Sequence, residues 1–537
     1  MDLSKINRRH NPESGISGAS KIYMIGVKGV GMTMLAQFLV GQGIEITGSD
    51  VAEKFMTDKV LKKFGVKVLE KFDAVNIPRD ADLIIYSSAY NADNNAEVAA
   101  SLAGKKKVLT YASALAEVFN QRYGIAVVGS HGKTTTTAWL GYVMQQAGME
   151  PNVMAGARVG QFGGCGITGK SDYMVIEADE YQNKLKHLQP KAALLNNIDY
   201  DHPDFFADKE EYEKVFIEFI KKIPKKGFLI ANFDDPIIRK IVNVNCKGRV
   251  IGYAINEAAD YIAYGIKQQA GKQYFKVRME DSFFTEAIEN EDDENIKIAP
   301  LSHPDGHRGG RGVGGEGELG DFCIRLSGRH NVSNALAVIA ACVELGVELV
   351  DIRKYLEEFS GAARRMQILG KFNGAVIIDD YAHHPTEIKA ALAGAREIYP
   401  KNKLIVVFHP HTFTRTKALL DDFAKSFGLA DEVIVLDIYG SAREEHGGVH
   451  SRDLVDLIKH ENTKTRKHEN TKTQKHLSAE TLAEEDENTK TRKQVLYIPT
   501  LGECEEYLRE NVERGDAVIL MGAGDVFRIG ESLVSDE

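Results

Sequence analysis

The chain has 537 residues, 43% hydrophobic and 27% charged, which is enough for three or four domains with several buried cores. Its net charge of −10 excludes a general nucleic-acid binder, although local basic residues can still hold a small anion. Residues 1–20 are polar and the longest apolar runs, such as Ala335 to Val343, fall well short of the ~20 residues of a membrane span, so a cytoplasmic protein without membrane insertion is expected. The five cysteines have no paired spacing, which indicates neither a disulfide framework nor a zinc site.

In chain order, the strand Lys21 to Ile25 leads through Gly26-Val27-Lys28-Gly29-Val30-Gly31-Met32 into the apolar helical stretch Leu35 to Val40. A second strand, Ile44 to Thr47, ends in Gly48-Ser49-Asp50, and a third, Asp82 to Tyr86, ends in Ser87-Ser88-Ala89. Strand ends of this kind form the ligand edge of a parallel sheet. An NAD site is the rival reading of the glycine turn. Its spacing departs from G-x-G-x-x-G, although Asp50 lies where a ribose ligand would. The helical segment Ala112 to Asn120 closes this unit.

The strand Gly124 to Val128 then meets Gly129-Ser130-His131-Gly132-Lys133-Thr134-Thr135, and a helix follows. Strand, glycine loop and helix make a phosphate cradle: backbone amides and the helix N-terminus attract the anion, Lys133 reaches the outer phosphates, and a threonine hydroxyl serves Mg²⁺. The usual loop has four residues between its first glycine and Gly-Lys; here only Ser130 and His131 intervene. Tyr173 to Glu177 and Ala192 to Asn197 read as buried parallel strands. Glu177 at a strand end suits a metal ligand, and Asp199-Tyr200-Asp201-His202 after the next strand could bind a second cation or orient substrate.

Strand Phe228 to Ile230 and helix Asn334 to Leu345 extend the second domain to about Gly361. The acidic and then glycine-rich stretch 280–321 reads as a disordered insertion. A third α/β region holds strands Ala375 to Asp380, Leu404 to Phe408, Glu432 to Leu436 and Ala517 to Met521. The pentapeptide Glu-Asn-Thr-Lys-Thr, starting at Glu461, Glu469 and Glu487, marks a second disordered insertion over 460–493, before the strand Val495 to Ile498. The expected class is α/β in three domains: an N-terminal Rossmann-like domain (1–120), a central P-loop ATPase-like domain (121–361) and a C-terminal Rossmann-like domain (362–537).

The stretch His330-Asn331-Val332-Ser333-Asn334 before an apolar helix has more polar groups than capping requires. With the short loop, Glu177 and His202, it resembles the Mur ligase family of ATP-dependent amide-forming enzymes of peptidoglycan precursor synthesis. The resemblance implies that His330, Asn331 and Asn334 lie at the adenine pocket. It also makes the first turn look like a UDP-diphosphate site, with Gly26, Gly29, Gly31, Asp50 and Ser87 on the UDP-sugar and Lys28 where members usually carry glycine. Gly361 to Arg365, Asp379 to Glu387 and His409 to Thr416 are similar to the alanine-adding members, and Thr412 stands where some have arginine.

From this follow the expected reaction and its residues. L-Alanine is joined to the carboxylate of UDP-N-acetylmuramate through an acyl phosphate, with ATP and Mg²⁺ as cofactors. Lys133, Glu177 and His202 are expected to be catalytic, with Thr134, Glu177 and His202 on metal. Gly129 to Thr135 are expected on ATP, and Arg364, Tyr381, His383, His411 and Arg415 at the amino acid and the reacting end. Arg415 would meet the amino-acid carboxylate, and His383 or His411 would order the amine or accept its proton. Two alternatives stand beside this reading: a family member that attaches a preformed tripeptide to the same UDP-sugar, and a nucleotide-dependent switch protein.

Overall fold

The computed structural model describes residues 15–280, 317–440, 444, 447–473 and 493–535. Three sheets organise them. The first contains β1 (Lys21–Ile25), β2 (Glu45–Ser49), β3 (Lys67–Leu69), β4 (Leu83–Tyr86) and β5 (Lys107–Thr110), all parallel, in the order β3-β2-β1-β4-β5. The order reverses between β1 and β4, so a crevice opens beyond their carboxyl ends, where Gly26 and Ser87 lie.

The second sheet has ten strands: β6 (Tyr123–Val128), β7 (Asn152–Val159), β8 (Gly164–Ile167), β9 (Tyr173–Glu177), β10 (Ala192–Leu195), β11 (Phe228–Asn232), β12 (Arg249–Ala254), β13 (Tyr261–Gln269), β14 (Lys272–Met279) and β15 (Gly317–Ile324). Their order is β15-β14-β13-β12-β11-β10-β6-β9-β7-β8, with β6 in the interior between β10 and β9 and the glycine loop at its end. Helices Lys133–Gln146 and Arg329–Glu344 are buried over most of their length. Trp139 on the first of these stacks on Phe359 at 5.2 Å and donates its indole N–H to the Leu356 carbonyl.

The first two sheets belong to one compact unit, Met1–Asp199, Glu210–Leu326 and Asn331–Ala363. Helix Val30–Gly41 shows how they join. Its residues Met32 to Leu39 are buried on every side, including polar Gln37. The second sheet covers the face away from β1: the Gln37 side chain donates to the Gly166 carbonyl and accepts from the Cys165 amide. A helix enclosed all round can be apolar all round.

The other unit comprises Tyr200–Lys209, Ser327–His330 and Arg364–Glu537. Its sheet holds β16 (Gln367–Phe372), β17 (Ala375–Asp380), β18 (Leu404–Phe408), β19 (Glu432–Val435), β20 (Gln494–Tyr497) and β21 (Ala517–Met521), in the order β16-β17-β21-β18-β19-β20, with only β16 antiparallel. Along β18, Leu404, Val406 and Phe408 enter one core while Ile405 and Val407 enter the other. Helices cover both faces, which is why such strands are apolar without alternation. Among the described residues no helix is long and apolar enough to cross a membrane.

The differences from the sequence reading have physical causes. Strand Asp82 to Tyr86 is the fourth of its sheet, because β3 has three residues, none fully buried, and carries little apolar signal. The antiparallel β13, β14 and β15 lie within or just before the stretch read as an insertion. Residues 317–321 are strand, with Gly317 opposite Met279; residues 281–316 lie outside the described residues. Residues 460–473 continue the helix Ser451–Thr473, so the first repeats are helical where a disordered insertion is expected; 474–492 lie outside the described residues. Their charged composition disfavours a core but does not by itself forbid a helix.

Candidate active site

The phosphate loop is shaped by backbone that only glycine adopts readily. Gly129 and Gly132 have φ of 134° and 77°, and a Cβ on Gly132 would come within 2.7 Å of Asn334 Oδ1. The loop is held from outside by residues that pattern reading did not assign: the Ser130 amide donates to the Asn197 carbonyl and the His131 amide to Asn197 Oδ1. Ser130 Oγ lies 2.7 Å from both the Asp199 carbonyl and Tyr212 Oη, and Tyr212 donates to Glu180. His131 Nε2 is 3.0 Å from Asp199 Oδ2. Asn196-Asn197 at the end of β10 and Glu180 beyond β9 were visible in the sequence, but only the parallel sheet brings them to one edge.

Lys133 folds its ammonium over the loop, 2.6 Å from the Gly129 carbonyl, 3.1 Å from that of Ser130 and 2.9 Å from Glu180 Oε2. Burial would lower its pKa, but the carboxylates of Glu180, Asp179 and Glu177 overcome this and hold it raised. Thr134 Oγ1 donates to Glu177 Oε2 at 2.8 Å, and the Gly156 amide donates to the same oxygen at 2.7 Å. A hydroxyl and a carboxylate in contact at the start of a helix form an all-oxygen donor pair of the kind Mg²⁺ takes. Thr135 is buried one residue on. Asn331 and Asn334 lie on the first turns of helix Arg329–Glu344 and are bonded to each other, with Asn334 close to Gly132. His330 belongs to the other unit and is exposed, and partial desolvation of its ring together with Arg365 lowers its pKa.

At the first sheet, Gly26 has φ 78°, and a Cβ there would meet the Tyr90 ring at 2.7 Å and Ser87 Cβ at 2.9 Å. Gly29 immediately precedes helix Val30–Gly41, and a Cβ on Gly31 would lie 2.7 Å from the Tyr111 ring. Asp50 is buried and accepts from the Lys28 and Val51 amides, so its carboxylate shapes the turn; burial raises its pKa. Lys28 does not point outward. Its side chain is 1% exposed, and Nζ donates to the Val51 and Glu53 carbonyls and pairs with Glu70 at 3.3 Å and Asp58 at 3.4 Å.

In the third-sheet unit, Arg364 Nε donates to Asp379 at 3.1 Å and Nη2 to the Gly522 carbonyl at 2.7 Å, with the guanidinium over the rings of Tyr381 and Phe527. Arg415 makes a two-toothed pair with Asp201, Nε to Oδ1 at 2.8 Å and Nη2 to Oδ2 at 3.3 Å. Burial would raise the Asp201 pKa, but Arg415 and the nearby His202 and His384 hold it well below the usual carboxylate range. The charge expected for an amino-acid carboxylate is thus already matched by Asp201. His202, also in this unit, has φ 58° and sits 3.8 Å from Asp201. His383 packs edge-on to Tyr381 and 6.3 Å from the ring of His411, which stacks on Tyr439. Burial lowers their pKa values to about 3 and about 4. Such weak bases are neutral at pH 7 and suit orienting an amine better than taking its proton.

Residues 21–123 match the Mur ligase family catalytic domain, 127–342 the Mur ligase middle domain, and 364–524 the Mur ligase glutamate ligase domain. The chain belongs to the Mur ligase family. Among the relatives of this Mur ligase, the UDP-N-acetylmuramate--L-alanine ligase of Desulfitobacterium hafniense is 34% identical over 96% of this chain and 99% of its own. That of Alkaliphilus metalliredigens is 35% identical over 96% and 97%. The crystal structure of UDP-N-acetylmuramate-alanine ligase from Thermotoga maritima superposes with a TM-score of 0.71 at 23% identity, covering 96% of this Mur ligase and 98% of that chain, which shows a shared fold. A murein peptide ligase from Psychrobacter arcticus shares the fold at a TM-score of 0.64 and 22% identity over 96% and 98%.

Proposed function

We propose that this Mur ligase joins L-alanine to the carboxylate of UDP-N-acetylmuramate in peptidoglycan precursor synthesis, converting ATP to ADP and phosphate. The observation that carries the reading is 34–35% identity, over 96% of this chain, to enzymes named for this reaction. The murein peptide ligase likeness is one of fold and does not favour the tripeptide alternative. We assign the UDP-sugar to residues 1–120, ATP to 121–361 and the amino acid to 362–537, and place the reaction in the cytoplasm.

The chemistry asks for a carboxylate to become an electrophile. The lactyl carboxylate attacks the γ-phosphorus, an O–P bond forms, and the bond to the β-bridging oxygen breaks to release ADP. The uncharged alanine nitrogen then attacks the acyl carbon, phosphate leaves with the electrons of the C–O bond, and the nitrogen's surplus proton passes to the departing phosphate or to water. Lys133, already held over the loop, neutralises charge on the transferring phosphoryl group. Thr134 and Glu177 would hold Mg²⁺, which supplies further charge neutralisation on phosphoryl oxygens, and His202 is assigned to a second cation. Gly129 to Thr135 cradle the triphosphate, and His330, Asn331 and Asn334 the adenine. Gly26, Gly29, Gly31 and Ser87 receive the diphosphate while Asp50 fixes their turn. Arg364, Tyr381, His383, His411 and Arg415 line the amino-acid end.

ADP release with UDP-N-acetylmuramate, measured across amino acids and a preformed tripeptide, tests the reading. A strong preference for L-alanine is expected, whereas faster turnover with the tripeptide would overturn it. Lys133→Ala should lower kcat by at least about a hundredfold, on the scale of losing one positioned charge.

A further inference from the structure

Tyr111 opens the helix Tyr111–Asn120, whose N-cap Thr110 accepts from the Ser113 amide. That helix carries the ring back across the first turn of helix Val30–Gly41: a Cβ on Gly31 would lie 2.7 Å from Tyr111 Cζ and 2.9 Å from its hydroxyl oxygen. The phenol therefore stands directly against the glycine turn assigned to the diphosphate. The same residue lines a cavity of about 30 Å³ with Glu177, Asp179, Lys184 and Leu188, so its other side faces the strand end that bears the metal-binding carboxylate. Among the described residues its hydroxyl makes no hydrogen bond. Sheet-edge geometry thus places one uncommitted donor where the UDP-sugar turn and the phosphoryl-transfer edge come together.

We propose that Tyr111 is a catalytic residue whose hydroxyl donates a hydrogen bond to the lactyl carboxyl group of UDP-N-acetylmuramate, an assignment that rests on the function proposed above. The substrate must run from the diphosphate turn to the γ-phosphate, and Tyr111 packs on Gly31 at that turn while sharing a cavity with Glu177, the carboxylate that meets Thr134. With one carboxylate oxygen held by the phenol, the other is presented to phosphorus; the phenol keeps its proton throughout. A neutral donor suits this place, because a cationic side chain beside Glu177 and Asp179 would pair with them, as Lys184 does with Asp179 at 2.5 Å. Packing against Gly31 is the purely structural alternative, and it needs only the ring.

Tyr111→Phe separates the two, since it keeps the ring and removes one oxygen. Binding of UDP and of UDP-N-acetylmuramate is measured by calorimetry, and turnover by ADP release. Tyr111→Phe should bind UDP, which has no carboxyl group, as the wild type does. Its kcat/KM for UDP-N-acetylmuramate should fall about ten- to a hundredfold, the scale of one hydrogen bond to a charged group, with the KM for ATP within about twofold. Unchanged turnover, or equal weakening toward UDP and the full substrate, would overturn the assignment. A wild-type chain that binds UDP-N-acetylmuramate no better than UDP and does not turn it over would overturn the parent reading and this one together. Wild-type activity with an indifferent Tyr111→Phe overturns this one alone.

Discussion

Lys28 shows how one residue can serve a site it does not line. Its amide donates to Asp50, its carbonyl accepts from Thr57 Oγ1, and its ammonium reaches Val51, Glu53, Asp58 and Glu70, so every polar group it has ties the glycine turn to the segment after β2. Lys28→Met removes one donor from the Val51 and Glu53 carbonyls and one cation from Asp58 and Glu70, which keep the Phe55 amide and Lys54. The expected cost is about 1–3 kcal/mol, read as a lower melting temperature, together with a raised KM for UDP-N-acetylmuramate and an unchanged KM for ATP. An unaltered melting curve would show the tether to be idle. Neither the direction nor the burial of this side chain was legible locally, because a lysine in a glycine turn reads equally as a phosphate contact or as a solvated group.

At the scale of elements, the strand-turn-helix junctions are where backbone conformation and function coincide. Gly26 and Gly132 both require left-handed φ, and each faces a close neighbour. Gly132→Ala should destabilise by about 1–2 kcal/mol from the backbone alone and push Asn334 away from the loop. The KM for ATP should then rise while UDP binding holds. Gly26→Ala should do the reverse, raising the KM for UDP-N-acetylmuramate. If the two variants affected both substrates alike, the division of labour between the first and second sheets would be wrong. The glycine loop of β6, the ends of β1, β4, β9 and β10, and the apolar strands of the third sheet could be read from sequence, since a strand buried on both faces announces itself as an apolar run. The antiparallel β13 to β15 could not, because half of each strand faces solvent and dilutes the signal.

Across the whole molecule, two part-buried histidines of the third-sheet unit make stability depend on pH. Burial, before any neighbouring charge, lowers His411 to about 4 and His383 to about 3, against an unfolded value of about 6.5. Below pH 6.5 the unfolded chain therefore binds protons that the folded chain refuses, so their contribution, complete above that pH, is lost as pH falls toward the folded values. At pH 6 the loss is about 0.8 kcal/mol for each histidine. Asp379, raised by burial to about 6, and Asp380, also raised by burial, act in the opposite sense; Asp379 is already half protonated at pH 6 and offsets part of the loss. Urea unfolding should show falling stability between pH 7.5 and 6; a flat profile there would contradict the burial of these rings. The same shifts imply that any acid limb of kcat near pH 6.5 arises from groups other than His383 and His411.

Sequence by itself determined the α/β class, the apolar strands of the three sheets and the shortened phosphate loop with Lys133 and Thr134, because each is written in contiguous residues, and it marked Glu177 as a carboxylate at a strand end. Tertiary structure alone decided that Asp201 answers Arg415 across 214 positions of chain, that Asn197 and Tyr212 brace the loop, that Lys28 turns inward, and that Tyr111 stands against both Gly31 and the cavity of Glu177. Those relations depend on which strand ends share an edge and which side chains lose water there, and neither property belongs to any single stretch of the chain.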